Sequence, residues 1–279
     1  MKPHSPPSRL FLILLITLFS AALFAQQNKS DNGYVPEVGQ KGKDVVWVPT
    51  PPELVDVMLN KLAKVTPADY VIDLGSGDGR MVIAAAKQGA QALGIEYNPD
   101  MVTLSKRNAA NEGVSDRASF IQADLYECDF SRATVITMFL LPEINLKLRP
   151  RLLDLKPGTR IVSNTFTMGE WEPDYEVTTE ENWNSWNTAL LWIVPAKVDG
   201  IWRIGKDDLS IKQEFQMIYG TMTFNGKAVS ITDGRLNGNE ITFRVGSALY
   251  TGKVDGSKMT GTVTTSDTKS DWVATKNGI

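Results

Sequence analysis

Histidine and cysteine are almost missing from this chain. Of its 279 residues one is a histidine, His4, and one a cysteine, Cys128. A lone cysteine permits no intrachain disulfide, and metal clusters of the Cys/His type are excluded. His4 falls in an N-terminal leader, so a mature chain has no histidine general base, which argues against hydrolases built on a Ser-His pair. Positive charge is not in surplus either. The 29 lysines and arginines face 32 aspartates and glutamates, for a net charge of −3, whereas a nucleic-acid backbone demands a basic face.

What remains is an ordinary globular composition, 42% hydrophobic and 22% charged, enough for one large domain or two. Residues 1–25 read as a secretory signal peptide, with a basic start at Lys2 and Arg9, an apolar run over 10–24, and Ala25 before Gln26. The alternative is an uncleaved anchor, for which the run is somewhat short. Both readings export the bulk of the chain, to the periplasm or medium, and limit membrane contact to this segment. Residues 26–44 are polar and rich in breakers, as in a linker or mobile arm.

The chain is organised around Tyr70-Val71-Ile72-Asp73-Leu74-Gly75-Ser76-Gly77-Asp78-Gly79-Arg80. An apolar run of strand character breaks into glycines, which allow positive φ and close approach to a ligand; good helix formers follow up to Gly89. The glycine spacing is neither the G-x-G-x-x-G of dinucleotide folds nor a P-loop. Asp73 precedes the first glycine by two residues, and Asp78 lies inside the turn. Carboxylates repel a pyrophosphate and suit a ligand carrying an ammonium or sulfonium charge.

These residues resemble the first motif of the class I S-adenosylmethionine-dependent methyltransferases, an acid followed by x-G-x-G-x-G. The resemblance covers roughly residues 47–194. It implies an α/β fold with a Rossmann-like seven-stranded sheet, and S-adenosyl-L-methionine as cofactor. Asp73 then lies near the methionine moiety, with Leu74, Gly75, Ser76, Gly77, Asp78 and Gly79 against the cofactor. A second strand ends in Glu96, placed to accept both ribose hydroxyls. A third, over 118–123, leads to Asp124, which by resemblance holds the adenine amino group beside the backbone of Leu125. The plain alternative is that these acids cap helices.

Ahead of the first strand, Thr50 and Glu53 make a capping box among prolines, and Leu54, Val57, Met58, Leu62 and Val65 share one helix face. In the family this entry segment covers the cofactor, so Pro49 and Thr50 are either lid residues or a cap and nothing more. A fourth strand, 134–139, is followed by Leu140-Leu141-Pro142-Glu143. The Asn/Asp-Pro-Pro-Tyr found here in many enzymes that methylate bases and glutamines is absent. The pattern of 139–144 and 155–166 resembles non-SET protein-lysine methyltransferases of the ATP-synthase c-subunit type. It departs from the histone enzymes at Thr137 and Met138 and has no basic tail. The resemblance implies an amine acceptor, on a protein or a small molecule. Phe139, Leu141, Phe166 and Trp171 are the expected walls of an acceptor channel, with Asn164 orienting the amine or nearby backbone, although each also suits a plain core.

Segments 174–178 and 187–194 read as antiparallel sixth and seventh strands, closing a domain over 45–195. From 196 to 279 the grammar is that of a small all-β antiparallel domain, a barrel or a sandwich. Its segments include 209–219 and 220–224, and its turns Asn225-Gly226, Asp233-Gly234, Asn237-Gly238 and Asp255-Gly256. It serves either to bind substrate or partner, to dimerise, or only to stabilise. Three function classes follow: an enzyme methylating a protein amine, foremost lysine; one of the same fold acting on a small molecule; or an exported binding protein without turnover.

Overall fold

The computed structural model describes residues 33–180, 186–224 and 226–276. The leader expected over 1–25 and the first part of the expected linker lie outside them. Residues 33–37 have no regular structure and belong to an N-terminal unit of their own.

From Val38 the chain folds as one unit. Residues 38–47 form a tight hairpin: the Gly39 N–H donates to Trp47 O at 2.8 Å, Trp47 N–H to Gln40 O at 2.9 Å, and Gly42 N–H to Val45 O at 2.9 Å. This part of the expected linker is therefore regular structure, because its glycines close the turn that its polar composition disguised. Helix α1 (Pro52–Asp56) follows and continues as a π-helical stretch, Val57–Leu62. The expected capping box does not form. Pro51 is the N-cap with no side-chain bond, and Thr50 Oγ1 accepts instead from Asn164 Nδ2 at 3.3 Å.

The α/β part runs β1 (Tyr70–Leu74), α2 (Arg80–Lys87), β2 (Gln91–Glu96), α3 (Pro99–Asn111), β3 (Ala118–Gln122), β4 (Val135–Met138), α4 (Pro142–Leu153), β5 (Arg160–Asn164), β6 (Tyr175–Thr178) and β7 (Thr188–Ile193). The seven strands lie in the order β3-β2-β1-β4-β5-β7-β6, with β7 antiparallel to both neighbours. Alternation along β1 explains the layers. Val71 packs with Met58 and Val82 on one face, whereas Ile72 and Leu74 pack with Leu148 and Leu152 on the other. Chain order reverses between β1 and β4, so the crevice at their C-terminal ends is the place such a sheet offers a ligand.

Strands β8 (Gly200–Ile204), β9 (Asp207–Glu214), β10 (Met217–Phe224), β11 (Lys227–Asn237), β12 (Glu240–Val245), β13 (Ala248–Asp255), β14 (Lys258–Thr264) and β15 (Lys269–Lys276) close into a barrel. The closing pair is β15 with β8, where Ala274 faces Ile204. Trp202, Leu209, Phe243 and Met259 fill the interior completely buried, so the barrel is a packed core and not a container. Two expectations fail here. The stretch 209–219 is not one strand: Phe215, at φ 54°, and Gln216 turn the chain from β9 into β10. Asp233-Gly234 is not a hairpin turn but an irregularity inside β11, where the register shifts between Thr232 and Arg235 and Asp233 takes φ 51°. A dipeptide that tolerates positive φ serves a bulge as readily as a turn. The Asn225-Gly226 turn lies partly outside the described residues. Among the described residues, no helix is long and apolar enough to cross a membrane.

Candidate active site

A cavity of about 490 Å³ opens at the C-terminal ends of β1, β2 and β4, and the 38–47 hairpin and residues 48–50 form part of its wall. Asp73 sets its polarity. Only 6% exposed, its carboxylate accepts a 2.7 Å bond from Thr137 Oγ1. Burial pushes its pKa up to about 7, against the Thr137 hydrogen bond and with help from the charges of Glu96 and Asp78. A buried acid near neutrality, beside two more carboxylates, suits a cationic ligand.

The C-terminal end of β2 carries the second polar group, held by the glycine turn. Glu96 accepts from the backbone N–H of Gly77 at 2.9 Å through one oxygen and of Asn98 at 2.8 Å through the other. Both oxygens are thereby held at the cavity wall with lone pairs to spare for a vicinal diol. Gly77 has φ 52°, and a Cβ there would stand 2.6 Å from Trp47 Nε1, so the turn can pass beneath the hairpin only as glycine. Arg80 ties the two layers together. Its guanidinium grips Asp78 through two nitrogens, at 3.0 and 2.6 Å, and donates to Thr50 O at 2.8 Å.

At the third pole Asp124 accepts from Lys43 Nζ at 2.6 Å and from the Tyr126 N–H at 2.9 Å. The Lys43 bond, then the Tyr126 bond, lowers the Asp124 pKa, and Lys43 is raised by the same hydrogen bond. Lys43 also sits 4.8 Å from the ring centre of Tyr97 and 5.9 Å from that of Tyr126. Acid, diol acceptor and acid, spread over β1, β2 and the end of β3, fit a nucleoside with a cationic tail, the ligand class expected from the sequence.

One stretch of the cavity wall is aromatic. Phe139, just beyond β4, stacks with Phe166 at 5.9 Å between centroids and meets Trp186 edge-on at 6.0 Å; all three border the cavity. Leu141, 40% exposed, stands at the same wall.

Most of the expected site residues converge on this cavity: Pro49, Thr50, Asp73, Gly75, Ser76, Gly77, Asp78, Glu96, Asp124, Leu125, Phe139, Leu141 and Phe166. Four do not. Leu74 is fully buried in the core on the α4 side. Gly79 caps α2 against Phe120 and Ser105. Asn164 is fully buried and uses its amide internally, donating to Thr50 Oγ1 and accepting from Thr165 Oγ1 at 2.9 Å. Trp171 is turned into the core by its bridge to Met168, where it packs against Trp192 and Phe215. Lys43, Trp47, Arg80, Tyr97 and Trp186 were missed as cavity residues. Arg80 had a signal, directly after the glycine turn; Trp186 arrives from a distant loop that no local pattern connects to Phe139.

Residues 73–175 match the ANTKMT methyltransferase domain family. A protein-lysine N-methyltransferase of Saccharolobus islandicus is 42% identical over 164 residues, 58% of this chain and 96% of that protein. The human ATP-synthase c-subunit lysine N-methyltransferase is 40% identical over 106 residues, 38% of this chain, which spans about half the length of that relative (46%). Among solved structures, an RNA methyltransferase from Salinibacter ruber in complex with S-adenosyl-L-homocysteine is 47% identical, with a TM-score of 0.51 over 54% of this chain and 96% of that one.

Proposed function

Because the chain belongs to the S-adenosylmethionine-dependent methyltransferases, we propose that it transfers a methyl group to the side-chain amine of a protein lysine. The observation that carries the acceptor is the slot of Phe139, Phe166 and Trp186 in the same cavity as the buried carboxyl of Asp73. Its support from relatives is the lysine activity in the names of the Saccharolobus islandicus and human proteins. The Salinibacter ruber protein is named for RNA, but the net charge of −3 provides no basic surplus for a phosphate backbone.

When bound, S-adenosylmethionine supplies a methyl group on a sulfonium, from which sulfur departs as a neutral thioether. The rest of the work falls to the protein. Asp73 would compensate the positive charge of the ligand's methionine end, Glu96 would hold the ribose hydroxyls, and Asp124, which pairs with Lys43 in this structure, would accept from the adenine amine. The amine must arrive uncharged. An apolar aromatic slot favours that, because desolvation disfavours the ammonium, and π faces still tolerate the cation formed as the new N–C bond closes. Holding the amine in line, with water excluded, is the main contribution expected of Phe139, Phe166 and Trp186. The proton on the new alkylammonium passes to solvent water once the product side chain leaves the slot.

The test is transfer of labelled methyl to a lysine-containing peptide library, with RNA as the competing acceptor. Phe166→Ala is expected to keep its affinity for S-adenosylhomocysteine and to lose roughly a hundredfold in transfer, an acceptor-side effect. Labelling of RNA in preference to peptide would overturn the acceptor. The enzyme is also proposed to be exported by its N-terminal segment. A mature N-terminus at Gln26 in the envelope fraction is the expected result; a cytoplasmic protein starting at Met1 would rule it out.

A further inference from the structure

The segment that presents Phe166 is gripped from two sides, and one of them is the barrel. Between β5 and β6 the chain runs through residues 165–174, starting with Thr165 at φ 60°. From α4, Asn145 Nδ2 donates to the carbonyls of Phe166 and Thr167 at 3.2 and 3.1 Å, and Arg149 Nη1 to that of Met168 at 2.8 Å. From the barrel, the β9–β10 turn reaches the other half of the segment. Phe215 stacks on Trp171, centroids 5.9 Å apart and planes 10° from parallel. Gln216 Nε2 donates to Glu172 O at 2.9 Å. Arg235 Nη2 pairs with Asp174 Oδ1 at 2.6 Å, and Asp174 Oδ2 accepts from the Ile193 N–H at 2.8 Å.

The turn is itself built to hold this shape. Phe215 occupies the left-handed region, which a bulky side chain adopts only when its surroundings impose it. Gln213 Nε2 donates to Phe215 O at 2.8 Å, the Leu236 N–H donates to Gln216 O at 2.7 Å, and Gln216 is 3% exposed. Arg149 joins both grips, with its guanidinium 5.4 Å from the Phe215 ring centre while it holds Met168. The cofactor end, by contrast, is built on β1 and β2, on the other flank of β4 from β5.

We infer that the barrel is a positioning element for the acceptor side of the site: Phe215 and Gln216 fix the 165–174 segment, and through it the Phe166 ring. This rests on the reading of the Phe139–Phe166–Trp186 slot as the acceptor site. It assigns the C-terminal domain a part in transfer that requires no contact of its own with the reacting atoms.

The experiment compares the full chain with Phe215→Ala, Gln216→Ala and the conservative Phe215→Tyr. Amide hydrogen exchange in 165–174 is expected to quicken about tenfold or more in both alanine variants while β1 and β2 keep their protection. S-adenosylhomocysteine affinity is expected to stay within about twofold, and the acceptor KM in the peptide-library assay to rise roughly tenfold. Phe215→Tyr should behave as the parent. Unchanged exchange in 165–174 overturns the inference, as does quickened exchange with undiminished transfer. So does parallel loss of cofactor affinity and transfer, which marks general destabilisation. If the parent binds S-adenosylhomocysteine yet labels no lysine peptide, the lysine assignment falls, and the exchange comparison still upholds or overturns the grip.

Discussion

Asp73 is the residue whose surroundings most alter its chemistry. With burial holding its pKa near 7, the folded protein keeps a proton that the unfolded chain releases around its ordinary value of 3.8. Stability without ligand should therefore fall as pH rises from about 4 to 7 and level off above, since the native state binds the extra proton throughout that window. Binding of a cationic cofactor has the opposite dependence, because it needs the ionised form. Titration calorimetry should find S-adenosylmethionine roughly tenfold weaker at about pH 6 than at about pH 8. Asp73→Asn should bind weakly with a flat profile, and a flat profile in the parent would contradict the assignment. Asp73, Glu96 and Asp124 were legible because each ends or follows a strand at a spacing one can count. Trp171 was misread because an aromatic residue near a site has the same sequence signature whether it faces the cavity or the core.

Among the elements, the 38–47 hairpin and the glycine turn beneath it form one joint. Gly77→Ala combines a left-handed backbone with a clash against the Trp47 indole. The backbone part alone costs about 1–2 kcal/mol, so the variant should melt earlier and bind S-adenosylhomocysteine roughly tenfold less tightly. Thermal melts with and without ligand would show it, and unaltered affinity would mean that the hairpin can shift at no cost. Strands and helices of the sheet were readable from apolar runs and from breakers such as Gly89, which follows the end of α2 at Lys87. The hairpin was not, because its polar residues match those of a free linker and its place comes from distant contacts, among them Lys43 with Asp124 and Tyr97. The turn at Phe215 was equally hidden: a phenylalanine at positive φ follows from packing on Trp171, not from any turn preference.

At the scale of the molecule, sheet and barrel share one boundary. Phe215 packs against the α4-side core, the Ala196 N–H donates to Gly238 O at 2.8 Å, and a Cβ on Gly238 would stand 2.9 Å from Gly158 Cα. Residues 38–276 should accordingly unfold together, with a calorimetric to van't Hoff enthalpy ratio of about 1; two resolved transitions would show that the barrel is only tethered. By itself the sequence determined the α/β unit around Asp73 and the following β-domain, and its resemblance to the class I methyltransferases implied the seven-stranded sheet and the cofactor, because a strand, a glycine turn and an acid are local features whose meaning survives without the rest of the chain. Only the tertiary structure decided that eight strands close as a barrel, since closure depends on β15 returning to β8. It alone brought Trp186 to Phe139, and the barrel turn to the segment carrying Phe166. Those contacts join residues far apart in the chain, and the direction in which each side chain points is set by packing that no local pattern records.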